Sequence, residues 1–259
     1  MRISEEDRRQ LDECQRSIGY TFRNPALLLE ALTHTSGANT RGSSNERLEF
    51  LGDSVIGLVT CDLLFRRFPD FQEGAMTTIK STVVSRETCA RFSSLLNLSQ
   101  YMILGRGLGK RAPLPSNILA DVFESLIGAI YLDGGYPAAV SFSMRLLEPE
   151  IIAVANDALM NTKSALQQTA QRMHGKTPIY TVADEQGPDH ARSFKIVVVI
   201  GRTRYPAAWG RTKKEGELRA ASNAMAVLER RPIPFNADPP EPETEAEAGA
   251  QSGPEAGGA

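Results

Sequence analysis

The chain has 259 residues, long enough for two domains, and the composition of an ordinary soluble protein: 41% hydrophobic and 23% charged. No apolar run reaches the roughly 20 residues of a membrane span, and the N-terminal MRISEEDRRQLDECQ lacks the apolar core of a secretory signal. Cys14, Cys61 and Cys89 are odd in number and have no metal-ligand spacing, which argues against a disulfide scaffold or a zinc module and sets the expectation of a reduced, cytoplasmic protein. The formal net charge of −2 hides an uneven distribution. Residues 161–231 carry 13 Lys and Arg against 6 acids, whereas residues 232–259 carry 6 acids and no Lys or Arg. A basic segment of that kind expects a polyanionic partner.

In chain order, residues 5–17 are predicted as a short helix. Asn24-Pro25 is a helix start with Pro at the first position, and the helix runs through LLLEALT to His34-Thr35-Ser36. For His34 a helix-terminus role is expected ahead of a catalytic one. Gly37 to Ser44 is a loop, and Asn45 is expected to cap the next helix.

That helix, NERLEFLGDSVIGLVTCD, is the most informative stretch of the chain. Glu46, Glu49 and Asp53 fall at i, i+3 and i+7, on one face. Leu48, Phe50, Leu51, Val55, Ile56, Leu58 and Val59 surround them. A helix apolar nearly all round is expected to be buried. Unpaired carboxylates there cost several kcal/mol or more each, at least about that much per ion. A bound divalent cation removes that cost, and oxygen ligands without His or Cys suit Mg²⁺ or Mn²⁺. Phe68-Pro69-Asp70 ends the helix. Further helices are expected from Glu73 and over 86–97. Gly105–Ser116 is a loop whose Arg106, Lys110 and Arg111 either contact phosphate or are simply solvated. Helices follow at 117–132 and 137–158. The first of these, NILADVFESLIGAIYLD, repeats the pattern with Asp121 and Glu124. Packed together, the two acidic helices would gather Glu49, Asp53, Asp121 and Glu124 around one cavity. The competing reading is a solvated acidic face. Apolar flanks, with Arg47 the only cation in the first run, weigh against it.

After a short linker the pattern changes. Lys163–Met173 is an amphipathic helix, Ile179–Asp184 and Ser193–Ile200 are strands, and Arg202–Trp209 is a third strand weakened by Pro206. Lys213–Leu228 is an Ala-rich helix. From Pro232 onward Pro, Glu, Ala and Gly dominate, and disorder is expected.

Glu46-Arg47-Leu48-Glu49-Phe50-Leu51-Gly52-Asp53-Ser54 resembles the signature of the ribonuclease III family, and Leu119 to Gly128 resembles its second acidic motif. The α-β-β-β-α order downstream resembles a double-stranded-RNA-binding domain. The resemblance covers roughly residues 5 to 230 and implies a multidomain chain of bacterial type. An all-α nuclease domain would occupy 1–156, a linker 157–162 and an α+β RNA-binding domain 163–231. A disordered acidic tail would fill 232–259.

The implied activity is Mg²⁺-dependent cleavage of both strands of double-stranded RNA, leaving 5′-phosphate and 3′-hydroxyl ends with short 3′ overhangs. Precursors of ribosomal RNA and other structured RNAs are the implied substrates. Glu49, Asp53, Asp121 and Glu124 would hold the metal, with Asp53 and Glu124 catalytic and Glu46 and Glu73 supporting. Asn45 and Ser54 flank this group. No small-molecule cofactor or membrane is implied. Cutting both strands with one site per chain implies a homodimer, with Phe50 at the position of the family's interface aromatic; core packing is its competing role.

The implied RNA contacts are Lys163, Gln167 and Gln168 on the first helix, His190 in the following loop, and Thr212, Lys213 and Lys214 at the last helix, with Arg211 beside them. RNA duplexes are held this way across two minor grooves and the phosphates between them. Two departures stand out. Gln168 replaces the family's usual Glu, and Gly216 its usual Ala, which should weaken the last helix by ~1 kcal/mol. The alternative function is a non-catalytic RNA-binding protein with an inactive nuclease-like domain, although all six acids are present. A di-iron oxidase is excluded, since none of His34, His174 and His190 lies three residues after a Glu.

Overall fold

In a computed structural model, the structure describes residues 4–38, 43–69, 71, 73–105, 107–108, 113–188 and 192–235. The chain divides into two compact units, Met1–Ala155 and Asn156–Ala259. Among the described residues no helix is long and apolar enough to cross a membrane.

The first unit is helical. Helix α1 (Glu5–Ile18) opens on a reciprocal capping box between Ser4 and Asp7. In α2 (Pro25–Leu32), Asn24 caps from its side chain, accepting from the Ala26 N–H. Helices α3 (Glu46–Arg67), α4 (Glu73–Val83) and α5 (Arg86–Leu95) follow. Helix α6 (Ser116–His174) contains one break, at Gly135, whose φ of 75° no helix accommodates. The core between these helices holds Leu28, Leu32, Ile56, Phe92, Phe123, Leu126 and Ile130, with the Phe92 and Phe123 rings 5.4 Å apart. Cys14, Cys61 and Cys89 are all free thiols.

Helices α3 and α6 meet at a contact only glycine permits. A Cβ built on Gly52 would lie 1.8 Å from the Glu124 carbonyl oxygen, and one on Gly128 would lie 2.4 Å from the Leu48 carbonyl oxygen. The two backbones therefore touch where the acidic motifs cross. The Ser125 hydroxyl, also at this crossing, lies 3.2 Å from the Asn45 carbonyl oxygen and 2.6 Å from that of Asp121.

Burial of α3 differs from the sequence expectation. Phe50 is 80% exposed, Leu58 57% and Phe65 73%, and Ser54 and Cys61 between them are exposed too. These five residues recur at i, i+4, i+8, i+11 and i+15, a single helical stripe. Only the opposite face (Leu48, Val55, Ile56, Val59, Leu64) enters the core of this chain.

In the second unit, strands β1 (Ile179–Gln186), β2 (Ser193–Ile200), β3 (Thr203–Arg204) and β4 (Ala208–Gly210) form one antiparallel sheet. Strands β3 and β4 are the two pieces of the expected third strand; both pair with β2, and the chain between them contains Pro206. Helix α7 (Lys213–Leu228) packs on β2 and β4. Gly216, expected only to weaken α7, also lets the helix lie close to β2: a Cβ there would meet Ile196 Cγ1 at 2.6 Å, so an alanine would require that side chain to shift. Two further features bear on the expected domain bounds. Residues 157–162, expected as a linker, are helical throughout within α6. Ordered packing also extends past Arg231: Phe235 is buried and exchanges two backbone-to-amide hydrogen bonds with Asn223, each 3.0 Å. Of the expected tail, residues 236–259 lie outside the described residues.

The crossing predicts a contrast between two glycines of one helix. Gly52→Ala should lower unfolding free energy by at least about 1–3 kcal/mol, because a rigid carbonyl must give way. Gly57→Ala should be neutral or stabilising by up to about 1 kcal/mol, since its Cβ would meet only the Lys80 side chain, at 3.7 Å. Urea titrations of the two variants measure the difference, and equal stability would contradict the packing described.

Candidate active site

Glu49 comes from the first turn of α3, and Asp121 and Glu124 come from the N-terminal part of α6. One carboxylate oxygen from each lies within 4.8 Å of the other two, and all three residues are half-buried. Helix spacing places Asp121 and Glu124 on one face, and the Gly52–Gly128 contact sets that face against Glu49.

Electrostatics follow from this convergence. Burial pushes the Glu124 carboxyl up to about 7, helped by the charges of Asp53, Glu49 and Asp121. Burial also raises Glu49, with Asp121 and Glu46 adding to it, while Arg86 opposes. Asp121 is raised by burial, against the lowering influence of Arg86 and His34. A group of like charges with oxygen donors alone can accept a hard divalent cation, which would relieve the repulsion.

The remaining predicted residues fall as follows. Asp53 is exposed and lies outside the three-carboxylate group, although its charge reaches Glu124 and Glu49. Glu46 is exposed and accepts from the Ser44 hydroxyl at 3.1 Å. Glu73 opens α4, accepts from the Thr77 hydroxyl at 2.9 Å, and is not in the group. Asn45 precedes α3 but makes no side-chain cap, contrary to the sequence expectation. Its own backbone is helical, which turns the side chain away from the free N–H groups, and its buried Nδ2 has no partner among the described residues. Ser54 bonds back to the Phe50 carbonyl. His34 is a terminus residue: its Nδ1 accepts from the Ser36 N–H at 3.1 Å, leaving the proton of the neutral ring on Nε2. Arg106, Lys110 and Arg111 lie outside the described residues.

Sequence reasoning placed α5 but missed its part in the site. Its buried Cys89 donates to the Val84 carbonyl at 3.9 Å and lies near enough to Glu124 to act on it, and the charge of Arg86 reaches Glu49 and Asp121. The available signal was i, i+3 spacing of the two on one helix, with no acidic motif nearby to draw attention to it.

In the second unit, Gln167 and Gln168 are exposed on α6 beside a shallow depression lined also by Ser164, Gln171, Arg172 and Thr177. Thr212 caps α7, its hydroxyl accepting from the Glu215 N–H. Lys213 is largely exposed, 3.8 Å from Glu185, and Lys214 is exposed. Lys163, expected to contact RNA, also has partners within its own unit. Its ammonium is 2.7 Å from Glu217 and 4.4 Å from the Tyr180 ring centroid, so its charge ties the helix to α7 and β1. His190 lies outside the described residues.

Comparison with known proteins gives the same two-part organisation. Residues 24–151 match the Ribonuclease-III-like family and residues 162–228 the double-stranded RNA binding motif. Ribonuclease 3 of Rhodopirellula baltica is 45% identical over 233 residues, covering 89% of this chain and 87% of that one. Its counterpart in Symbiobacterium thermophilum is 41% identical over 216 residues, covering 82% and 92%. A solved nuclease domain of Campylobacter jejuni ribonuclease III superposes with a TM-score of 0.50 at 33% identity, over 54% of this chain and 97% of that one. The chain belongs to the ribonuclease III family and is an endoribonuclease of double-stranded RNA.

The raised carboxyls imply a pH dependence in metal-free protein. An acid raised on folding is protonated more in the native state than in the unfolded one. Stability therefore falls as pH rises between the unfolded value near 4.5 and the folded value of about 7 for Glu124. Melting temperatures in EDTA should drop across that window, and Glu124→Gln should flatten the drop. A divalent cation should reverse it at pH 7.

Proposed function

We propose that Glu49, Asp121 and Glu124, joined by Asp53, hold a divalent cation, Mg²⁺ in the cell with Mn²⁺ as a substitute, and that this is the centre at which each RNA strand is cut. The supporting observation is the convergence of three carboxylates within 4.8 Å from two helices. Their all-oxygen chemistry fits a hard ion. Bound there, the cation supplies an activated water and neutralises charge on the phosphate.

The chain's own residues set the stage. Gly52 and Gly128 hold the two acidic helices together. The apolar core around Glu124, which includes Phe123 and Cys89, limits where that side chain can point. Glu46 stands close enough to Glu49 to act on its charge and supports the group. Glu73 has its supporting role from family resemblance. Products are expected to carry 5′-phosphate and 3′-hydroxyl ends with short 3′ overhangs, from ribosomal RNA precursors and other structured RNAs in the cytoplasm.

The RNA-binding unit would present Gln167, Gln168 and His190 to minor grooves. Thr212, Lys213 and Lys214 would meet phosphates, aided by the positive end of α7.

The exposed stripe on α3 supports a homodimer. Phe50, Leu58 and Phe65 are large, apolar and in line, a pattern typical of a covered surface. The Campylobacter jejuni nuclease domain is described as having a region involved in dimer formation. Two copies would bring two sites to one duplex, one for each strand.

Two experiments test these readings. Glu124→Gln should keep affinity for a long RNA duplex while losing at least about 100-fold in cleavage rate, read by gel shift and by single-turnover cleavage in Mg²⁺. Full cleavage by that variant would sink the metal-centre assignment. Phe50→Arg should leave the fold of the chain intact by circular dichroism, because the residue is 80% exposed in the single chain, with any drop in melting temperature reflecting only the lost partner. Sedimentation should nevertheless report a monomer where the unaltered chain is a dimer.

A further inference from the structure

The first turn of α5 borders the carboxylate group from a side that α3 and α6 do not supply. Cys89 is fully buried there, and Phe92, one turn further along α5, has its ring 5.4 Å from that of Phe123, the neighbour of Glu124 on α6. Arg86 stands three residues before Cys89 on the same helical face, one turn nearer the N-terminus. That turn carries the face from the buried floor to the surface, and Arg86 is exposed. Its charge is felt by both Glu49 and Asp121. Yet no ion pair among the described residues engages Arg86. The positive end of α5, capped by Ser85, lies at the same spot.

We propose that Arg86 is a further RNA-contacting residue of the nuclease domain, its guanidinium holding a backbone phosphate of the strand being cut beside Glu49 and Asp121. The proposal rests on the reading of the carboxylate group as the cleavage centre. A polyanion approaching several carboxylates meets repulsion, and a fixed cation at their rim offsets it. Arginine suits the task because its planar fork binds phosphate oxygens in pairs. Being exposed, and held in no ion pair among the described residues, Arg86 gives up mainly water when a phosphate arrives. The rival role, adjusting the charge state of the acids without touching RNA, predicts a different salt response.

The test uses the full chain carrying Glu124→Gln, so that a paired RNA duplex binds in Mg²⁺ without being cut. Affinity is titrated against KCl for this variant and for the same variant with Arg86→Gln or Arg86→Lys. Arg86→Gln should shallow the plot of log affinity against log salt by about 1, the signature of one lost phosphate contact, and Arg86→Lys should restore most of it. With Glu124 intact, Arg86→Gln should lower kcat/KM about tenfold, chiefly through KM. An unchanged salt slope in Arg86→Gln overturns the proposal even if cleavage falls, because the residue then acts only on the acids. Melting curves and the Arg86→Lys arm guard against misfolding as the cause. Failure of the cleavage-centre reading shows separately, as full cleavage by Glu124→Gln, while the slope comparison depends on Arg86 alone.

Discussion

The backbone contact between α3 and α6 governs the nuclease domain. With Gly52 and Gly128 at the crossing, each helix comes within van der Waals reach of the other's carbonyl oxygens. No other residue permits that separation, because any Cβ would occupy space already held by a peptide group. The crossing lies one turn from Glu49 and one turn from Glu124. Side chains three or four positions from a fixed contact have little freedom in where they point, so the contact sets the carboxylate geometry as firmly as it sets the packing. Ser125 fastens the same place by reaching from α6 to the backbone at Asn45.

Holding several carboxylates together opposes folding electrostatically, and the domain tolerates this by surrounding the group with a well-packed core. Phe92 and Phe123 pack with tilted rings beside it, and Leu126, Ile127 and Ile130 continue the buried face of α6. Apolar burial there, at roughly 25 cal/mol per Å², counters the like-charge repulsion. Partial exposure of the acids, and a thiol and a guanidinium from α5, lessen that repulsion without abolishing it. The raised carboxyls are the residue of this balance.

The second unit solves a different problem with the same device. Gly216 lets α7 settle onto β2, and Gly210 meets the Gly216 amide from β4. A reading by helix propensity alone treats glycine in a helix as a loss. Here the loss in propensity is offset by closer helix-on-sheet packing. Lys163, an RNA contact by family resemblance, is also engaged by Glu217 and Tyr180 inside its own unit.

Much was legible from local pattern. Helical periodicity placed α1 through α5 within a few residues, Asn24-Pro25 marked its helix start, and Ser193–Ile200 and Lys213–Leu228 fell where alternation and Ala-rich content put them. The acids Glu49, Asp121 and Glu124 were recognisable because spacing of three and four residues fixes which side chains share a helix face. What local pattern does not encode is distance between helices, and that is where tertiary structure decided the outcome. It left Asp53 outside the group, brought Arg86 and Cys89 to it, turned Phe50, Leu58 and Phe65 outward, and freed Asn45 from capping. The physical reason is that periodicity records only that a face is apolar or charged. What covers that face, whether core, ion, RNA or a second copy, depends on where the chain returns, and in this protein the returns are set by a few glycine contacts.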